Sequence, residues 1–253
     1  MIEKTCLRNG KSSLKETRQR RTNPLNILFW DIDGTLLRTN RAGLYAFQQA
    51  ARELLGGEID FNGIETSGMT DHYIADQVIR SITGQTPAHD DILRLVSRYE
   101  ELLPAQLEIH QGYLLPSVRS ILTELHGHPS FVSTLLTGNN PGGAKIKLSF
   151  FNIAHYFDFS LGAFSLQCRT RRDVADQAKR LLTDRYPDIS FARVFVIGDT
   201  PHDVDCGKYI GAQTIAVATG THSFANLRAH APWWALETLP SPAEFIRKIE
   251  TGE

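Results

Sequence analysis

Cysteine is scarce: Cys6, Cys168 and Cys206 are the only three in 253 residues. An odd number at wide spacing argues against a disulfide framework or a zinc knuckle, and its simplest setting is a reducing, cytoplasmic one. No apolar run approaches the ~20 residues that span a bilayer, so a membrane is not expected as a partner. Excess charge is missing too. A net charge of -1 gives no reason to expect nucleic acid or an anionic lipid surface as the main partner. Lysine is absent from the whole stretch between Asp31 and Lys145. What remains is 42% hydrophobic and 22% charged, globular material long enough for one large domain or a main domain with an insertion. The oligomeric state is not legible.

Residues 1 to 24 are polar and basic, with Lys4, Arg8, Lys11, Lys15, Arg18, Arg20 and Arg21 against Glu3 and Glu16. With almost nothing to bury, they read as a mobile tail. Being Arg-rich and poor in acids, the tail also allows a targeting role, but it has no apolar signal-peptide core.

The first apolar run, Leu25 to Trp30, predicts a buried strand, and Asp31-Ile32-Asp33-Gly34-Thr35 follows it directly. Side chains at i and i+2 of an extended segment share a side, so Asp31 and Asp33 would occupy one small volume, where like charges repel unless a proton or a cation joins them. The pair therefore suits a nucleophile beside an acid/base group, or oxygen ligands for a hard cation. An Asp-Gly turn with a spare Asp is the plainer reading of the same five residues.

Helical spacing follows over residues 42 to 55, stopped by Gly56-Gly57, and again over Tyr73 to Ile82 and Ile92 to Leu107. With no second carboxylate pair at a strand tip, residues 41 to 115 read as a helical cap inserted into a core made of 25 to 40 and 116 to 253. Inside it, Ser67, Gly68 and Thr70 belong to a polar loop that suits a substrate, although Thr70 or Asp71 equally suits a helix N-cap.

A helix over Ser117 to Leu125 and a strand over Phe131 to Leu136 lead into Thr137-Gly138-Asn139-Asn140-Pro141, where free amides ahead of a helix could seat a phosphate and an Asn could simply cap it. A short strand is expected near Phe157 to Leu161. Arg169, Arg171 and Arg172 then cluster before a helix, a position where cations oppose the macrodipole unless they meet an anion. The strand Arg193 to Ile197 ends in Gly198-Asp199-Thr200-Pro201-His202-Asp203. A strand over Thr214 to Val217 and a helix from about Pro242 complete the pattern, with Trp233 and Trp234 read as either a buried strand or a contact surface. Strands alternating with helices predict an α/β fold, a Rossmann-like parallel sheet that binds ligands beyond the carboxyl ends of its strands.

Taken in order, Asp31-x-Asp33-Gly34-Thr35, Thr137-Gly138-Asn139 and Gly198-Asp199-Thr200-x-x-Asp203 resemble the haloacid dehalogenase-like hydrolase superfamily, and within it the phosphoglycolate phosphatase-like branch with a helical cap. The resemblance covers residues 25 to 220. It implies a Mg2+-dependent phosphatase that hydrolyses a small phosphomonoester through an aspartyl-phosphate. By position, Asp31 would be the nucleophile, Asp33 the acid and base, and Thr137 a donor to the phosphoryl group, with Gly34, Thr35, Gly138 and Asn139 around the phosphate. Asp31, Asp199, Asp203 and the Asp33 carbonyl oxygen would serve the metal. The family's third motif is usually a lysine, but none stands there. Arg171 is the expected substitute, with Arg172 next and Lys145 and Lys147 behind, inside the preceding helix. The same fold also hosts phosphomutases, and a binding module that has lost the chemistry is the reading from outside enzymology. Selectivity is expected in Ser67 to Asp71 and in Arg38, Asn40 and Arg41.

Overall fold

The computed structural model describes residues 24–166 and 168–252; the basic stretch read as a tail lies, apart from Pro24, outside them. Strand β1, Asn26–Trp30, is buried at every position because it sits mid-sheet with helices on both faces. The other strands are β2 (Leu37–Arg38), β3 (Tyr113–Leu114), β4 (Phe131–Leu135), β5 (Val194–Gly198), β6 (Gln213–Val217) and β7 (Trp234–Leu236). Five of them form one sheet in the order β4-β1-β5-β6-β7, every pairing parallel. Trp234 thus opens an edge strand and Trp233 just precedes it, both partly buried, so the buried-strand reading of the pair holds only in part.

The helices are α1 (Ala42–Leu55), α2 (Asp71–Thr83), α3 (His89–His110), α4 (Val118–Leu125), α5 (Pro141–Phe150), α6 (Arg171–Arg185), α7 (Pro201–Ile210), α8 (Phe224–Ala229) and α9 (Pro242–Thr251). Alternation along β1 divides the core: Leu28 and Trp30 face the layer of α4, α5 and α9, while Ile27 and Phe29 face α6 and α7. The expected strand over 157–161 is instead two short 3-10 turns, Ala154–Tyr156 and Phe159–Leu161. Asp158 causes the turn: its Oδ1 accepts from both the amide and the hydroxyl of Ser160, which bends the chain away from extension.

Helices α1, α2 and α3 bury an apolar cluster separate from those of the sheet, with Phe47 stacked on Tyr99 at 4.1 Å. Gly56 and Gly84 end α1 and α2 in the left-handed conformation, and Thr70 caps α2 by accepting from the Tyr73 amide. The two chain crossings that lead into and out of these helices run antiparallel side by side, Leu37 opposite Leu114 and Arg38 opposite Tyr113.

Register decides what meets at the sheet edge. Trp30 is paired with Leu135 on one side and Ile197 on the other, so Asp31, Thr137 and Asp199 emerge at the same carboxyl end. Strand order also reverses at β1, which opens the crevice there.

Candidate active site

Asp31 leaves β1 with its amide bonded to the Ile197 carbonyl and its side chain buried. The Thr137 hydroxyl is near enough to its carboxyl to favour the charged form, and Arg171 Nη1 lies 3.6 Å from its Oδ1. Arg171 Nη2 also donates to Asp203 Oδ1. Asp203 is held from behind, because its Oδ2 accepts from the Thr200 amide at 3.0 Å and the Thr200 hydroxyl at 2.7 Å in the capping box of α7. Thr35 donates to Asp199 Oδ1 at 2.9 Å and so orients that carboxylate; it is buried behind the cavity wall. Gly34, at φ +89°, has no alternative: a Cβ there would overlap the Asp199 carboxylate.

Carboxylate oxygens of Asp31, Asp199 and Asp203 lie within 4.8 Å of one another, all three residues buried. Burial pushes Asp31 up to about 7, with Asp203 adding to the rise and Arg171 opposing it. Asp199 is raised by burial, then by Asp31 and Asp203. Burial works against the Arg171 cation, but Asp203 and Asp31 outweigh it and hold the guanidinium charged. Three carboxylates thus face one guanidinium in a place with little water, and the donor set is all oxygen. That combination fits a hard divalent cation such as Mg2+. Since both Asp203 oxygens already accept hydrogen bonds, Asp31 and Asp199 are the freer ligands.

Asp33 takes a different direction, with a side chain 41% exposed. Its Oδ2 accepts from Lys147 Nζ at 2.6 Å and from Asn139 Nδ2 at 2.9 Å, while Asn139 Oδ1 accepts from Lys147 at 2.6 Å. Asn139 Nδ2 also reaches the Thr137 hydroxyl at 2.9 Å. The lysine ranked as a weak candidate therefore stands in the site. Helical phase is the signal that could have found it: Lys147 shares the buried face of α5 with Gly143 and Ala144, whereas Lys145 points to solvent.

The N-terminus of α5 is also used otherwise than expected. Asp71 Oδ2 accepts from the Asn140 amide at 2.7 Å, and Glu100 Oε1 accepts from the Gly143 amide at 2.9 Å and from Asn140 Nδ2 at 2.7 Å. Carboxylates from α2 and α3 occupy the amides that were expected to seat a phosphate, as the positive end of a helix permits. Burial raises Asp71 to about 7, against the pull of Lys147 and the Asn140 amide.

Three expected residues stand elsewhere or do other work. Arg172, one residue past Arg171, is turned about 100° around the helix and lies over the Tyr209 ring at 4.3 Å; it does not line the cavity. Thr70 is spent on the α2 cap and on the Arg169 carbonyl at 3.0 Å. Thr35 serves Asp199, as above. Ser67 and Gly68 do line the cavity: the Ser67 and Thr221 hydroxyls are 2.9 Å apart, and Gly68, at φ +70°, packs on Thr200 and His202. Gly138 and Asn139 also line it, and a Cβ on Gly138 would strike the Met69 carbonyl. The cavity measures about 570 Å³. Leu44, Phe47, Ile74 and Tyr99 give it an apolar wall opposite Asp31, and Arg38, Asn40 and Arg41 stand along it. Arg38 is already engaged, donating to the carbonyls of Thr219 and Gly220. Among the described residues no helix is long and apolar enough to cross a membrane.

The chain is 26% identical over 220 residues to the "Probable phosphatase IndB" of Dickeya dadantii (strain 3937), an alignment that covers 84% of this chain and 89% of that protein. Two solved structures resemble the fold. One is a predicted phosphoglycolate phosphatase from Haemophilus somnus 129pt, at TM-score 0.64 and 12% identity, covering 90% of this chain and 99% of that one. The other is a β-phosphoglucomutase from Clostridium difficile, at 0.63 and 14%, covering 90% and 98%. Identities this low speak for the fold alone, and the fold serves both named activities. The family model described as haloacid dehalogenase-like hydrolase matches residues 27–217, a span that holds β1, β4, β5 and all the carboxylates gathered at their ends. The chain belongs to the haloacid dehalogenase-like hydrolases.

Proposed function

We propose that the protein is a phosphatase that hydrolyses a small phosphomonoester through an aspartyl-phosphate on Asp31, with Mg2+ as its cofactor. The observation that carries this reading is the setting of Asp31, buried at a strand end between the Thr137 hydroxyl and the Arg171 guanidinium, with Asp33 two residues on.

Asp31 attacks phosphorus from the sheet edge, and the bond from phosphorus to the ester oxygen breaks as Asp33 gives that oxygen a proton. Asp33 then takes a proton from water, whose oxygen attacks the same phosphorus and breaks its bond to Asp31, releasing inorganic phosphate and restoring the carboxylate. The covalent step divides one displacement into two easier ones. Asp31, Asp199 and the Asp33 carbonyl oxygen would hold Mg2+, with Asp203 beside them; when bound, the ion offsets the carboxylate charge that repels a phosphate dianion. Arg171 adds a fixed positive charge, and its Nε has no hydrogen-bond partner among the described residues. The apolar wall from α1, α2 and α3 keeps water from the covalent intermediate and selects the leaving group.

The test is release of inorganic phosphate from a panel of small phosphomonoesters, with Mg2+ or with excess EDTA. Asp31→Asn should lower turnover by about 10³-fold or more, while its melting temperature stays equal or rises because a buried like charge is gone. A D31N enzyme near the wild-type rate would remove Asp31 as nucleophile. Isomerisation of a sugar phosphate without release of phosphate would favour the mutase instead.

A further inference from the structure

We infer that Lys147 is a positioning residue for Asp33, holding one oxygen of its carboxyl so that the other faces the ester oxygen of the substrate. This rests on the phosphatase reading above and assigns a task that the reading leaves open.

Among the described residues, two cations pair with the two carboxylates of the proposed reaction, one with each. Arg171 is committed to Asp31 and Asp203. Lys147 is committed to Asp33 and Asn139. Both hydrogen bonds to the Asp33 side chain fall on Oδ2, from Lys147 at 2.6 Å and Asn139 at 2.9 Å, and among the described residues none falls on Oδ1. Packing contributes little to that orientation, since the Asp33 side chain is 41% exposed. Left alone, such a carboxyl would rotate freely. Lys147 does not share that freedom: it is 5% exposed, anchored on the buried face of α5, with Asn139 Oδ1 as its second acceptor. Asn139 in turn is tied to Thr137. The Asp33–Asn139–Lys147 triangle thus fixes Oδ2 against a rigid element and leaves Oδ1 as the atom that passes the proton, and a group so held loses less entropy on reaching the transition state.

A proton is needed most when the leaving oxygen is strongly basic. An alkyl phosphate expels an alkoxide and requires it; p-nitrophenyl phosphate expels a stabilised phenolate and hardly does. Lys147→Met keeps length and apolar packing while removing the ammonium, so kcat on an alkyl phosphate should fall by about 10²-fold or more and on p-nitrophenyl phosphate by less than about tenfold, with KM changed little on either. Lys147→Arg should recover part of the alkyl phosphate rate. Asn139→Ala, which removes the other donor to Oδ2, should show the same selective loss and serves if K147M does not fold. Equal losses on the two substrates, or no loss on either, would overturn the assignment. Should the wild-type enzyme release phosphate from no ester, it is the phosphatase reading that fails. The positioning role is then decided by crystal structures of the wild type and K147M: a displaced Asp33 carboxyl sustains it, and an unmoved one overturns it.

Discussion

The two aspartates that follow β1 stand two residues apart and live in opposite surroundings. Asp31 is enclosed by side chains of the sheet edge: Thr137 after β4, Arg171 opening α6, Asp199 after β5 and Asp203 in α7. Asp33 lies at the seam with α1–α3, half exposed, held by Lys147 of α5 and by Asn139 in the loop before it, with Asp71 and Glu100 docked at the start of the same helix. On the phosphatase reading proposed above, the difference suits one short turn to two kinds of chemistry. A nucleophile must stay put and shed its water. An acid and base must reach both a leaving oxygen and, later, a water molecule.

The contrast can be broken most forcefully at Arg171. Arg171→Met removes the guanidinium from among three buried carboxylates, and stripping a buried charge of its partner costs about 3–5 kcal/mol, to be read by urea denaturation without Mg2+. Added Mg2+ should return part of that stability if, as proposed, the same carboxylates hold it. K147M should cost clearly less, since Asp33 can turn to solvent; an equal cost would erase the distinction between the two regions.

Asp71 sharpens the seam. Its folded-state pKa is raised to about 7, chiefly by burial, so the folded protein takes up this proton more readily than the unfolded chain. The stability it gives is therefore full at pH values below the unfolded pKa and is lost as pH rises through about 7. Asp71→Asn keeps an acceptor for the Asn140 amide and carries no charge. Its melting temperature should exceed the wild type's at pH 8, by less at pH 5, and lose that lead only as pH falls to the unfolded carboxyl's own pKa of 3.8. Each pKa unit is worth ~1.4 kcal/mol, which moves the midpoint by about 3–6 °C in a chain of this size. A wild-type lead at pH 8 would show that the carboxylate is the form the seam prefers.

The smallest effect is expected at the cavity mouth. Ser67→Ala removes an exposed hydroxyl pair with Thr221 and should lower stability by less than about 1 kcal/mol. A larger loss in a denaturation curve would mean that this contact, and not the α5 seam, holds the helices over the site.

Much of this arrangement could be read in the chain because it is built from strand tips. An apolar run of five or six residues locates β1, β4 and β5, and parallel register carries Asp31, Thr137 and Asp199 to one edge. Capping chemistry did the same for Thr70. Other features were illegible because they depend on docking. Lys147 meets Asp33 across 114 residues, and Glu100 meets Gly143 across 43; helical phase can mark the buried face of α5, but no local pattern names the partner that either residue meets. Arg171 and Arg172 have the same composition, and only helical phase sends one to the carboxylates and the other to Tyr209. Asp158, a single turn-forming residue, was enough to undo an apolar pattern that otherwise reads as a strand.

One consequence follows from the paired crossings at Arg38 and Tyr113. Because these residues are neighbours across a two-strand ladder, the chain enters and leaves the helical insertion through a single gap, and a tight turn of a few residues could bridge it. A core shortened in this way would present Asp31 at an open rim, where a phosphate carried on a protein surface could approach, so the same sheet edge would meet macromolecules in place of metabolites.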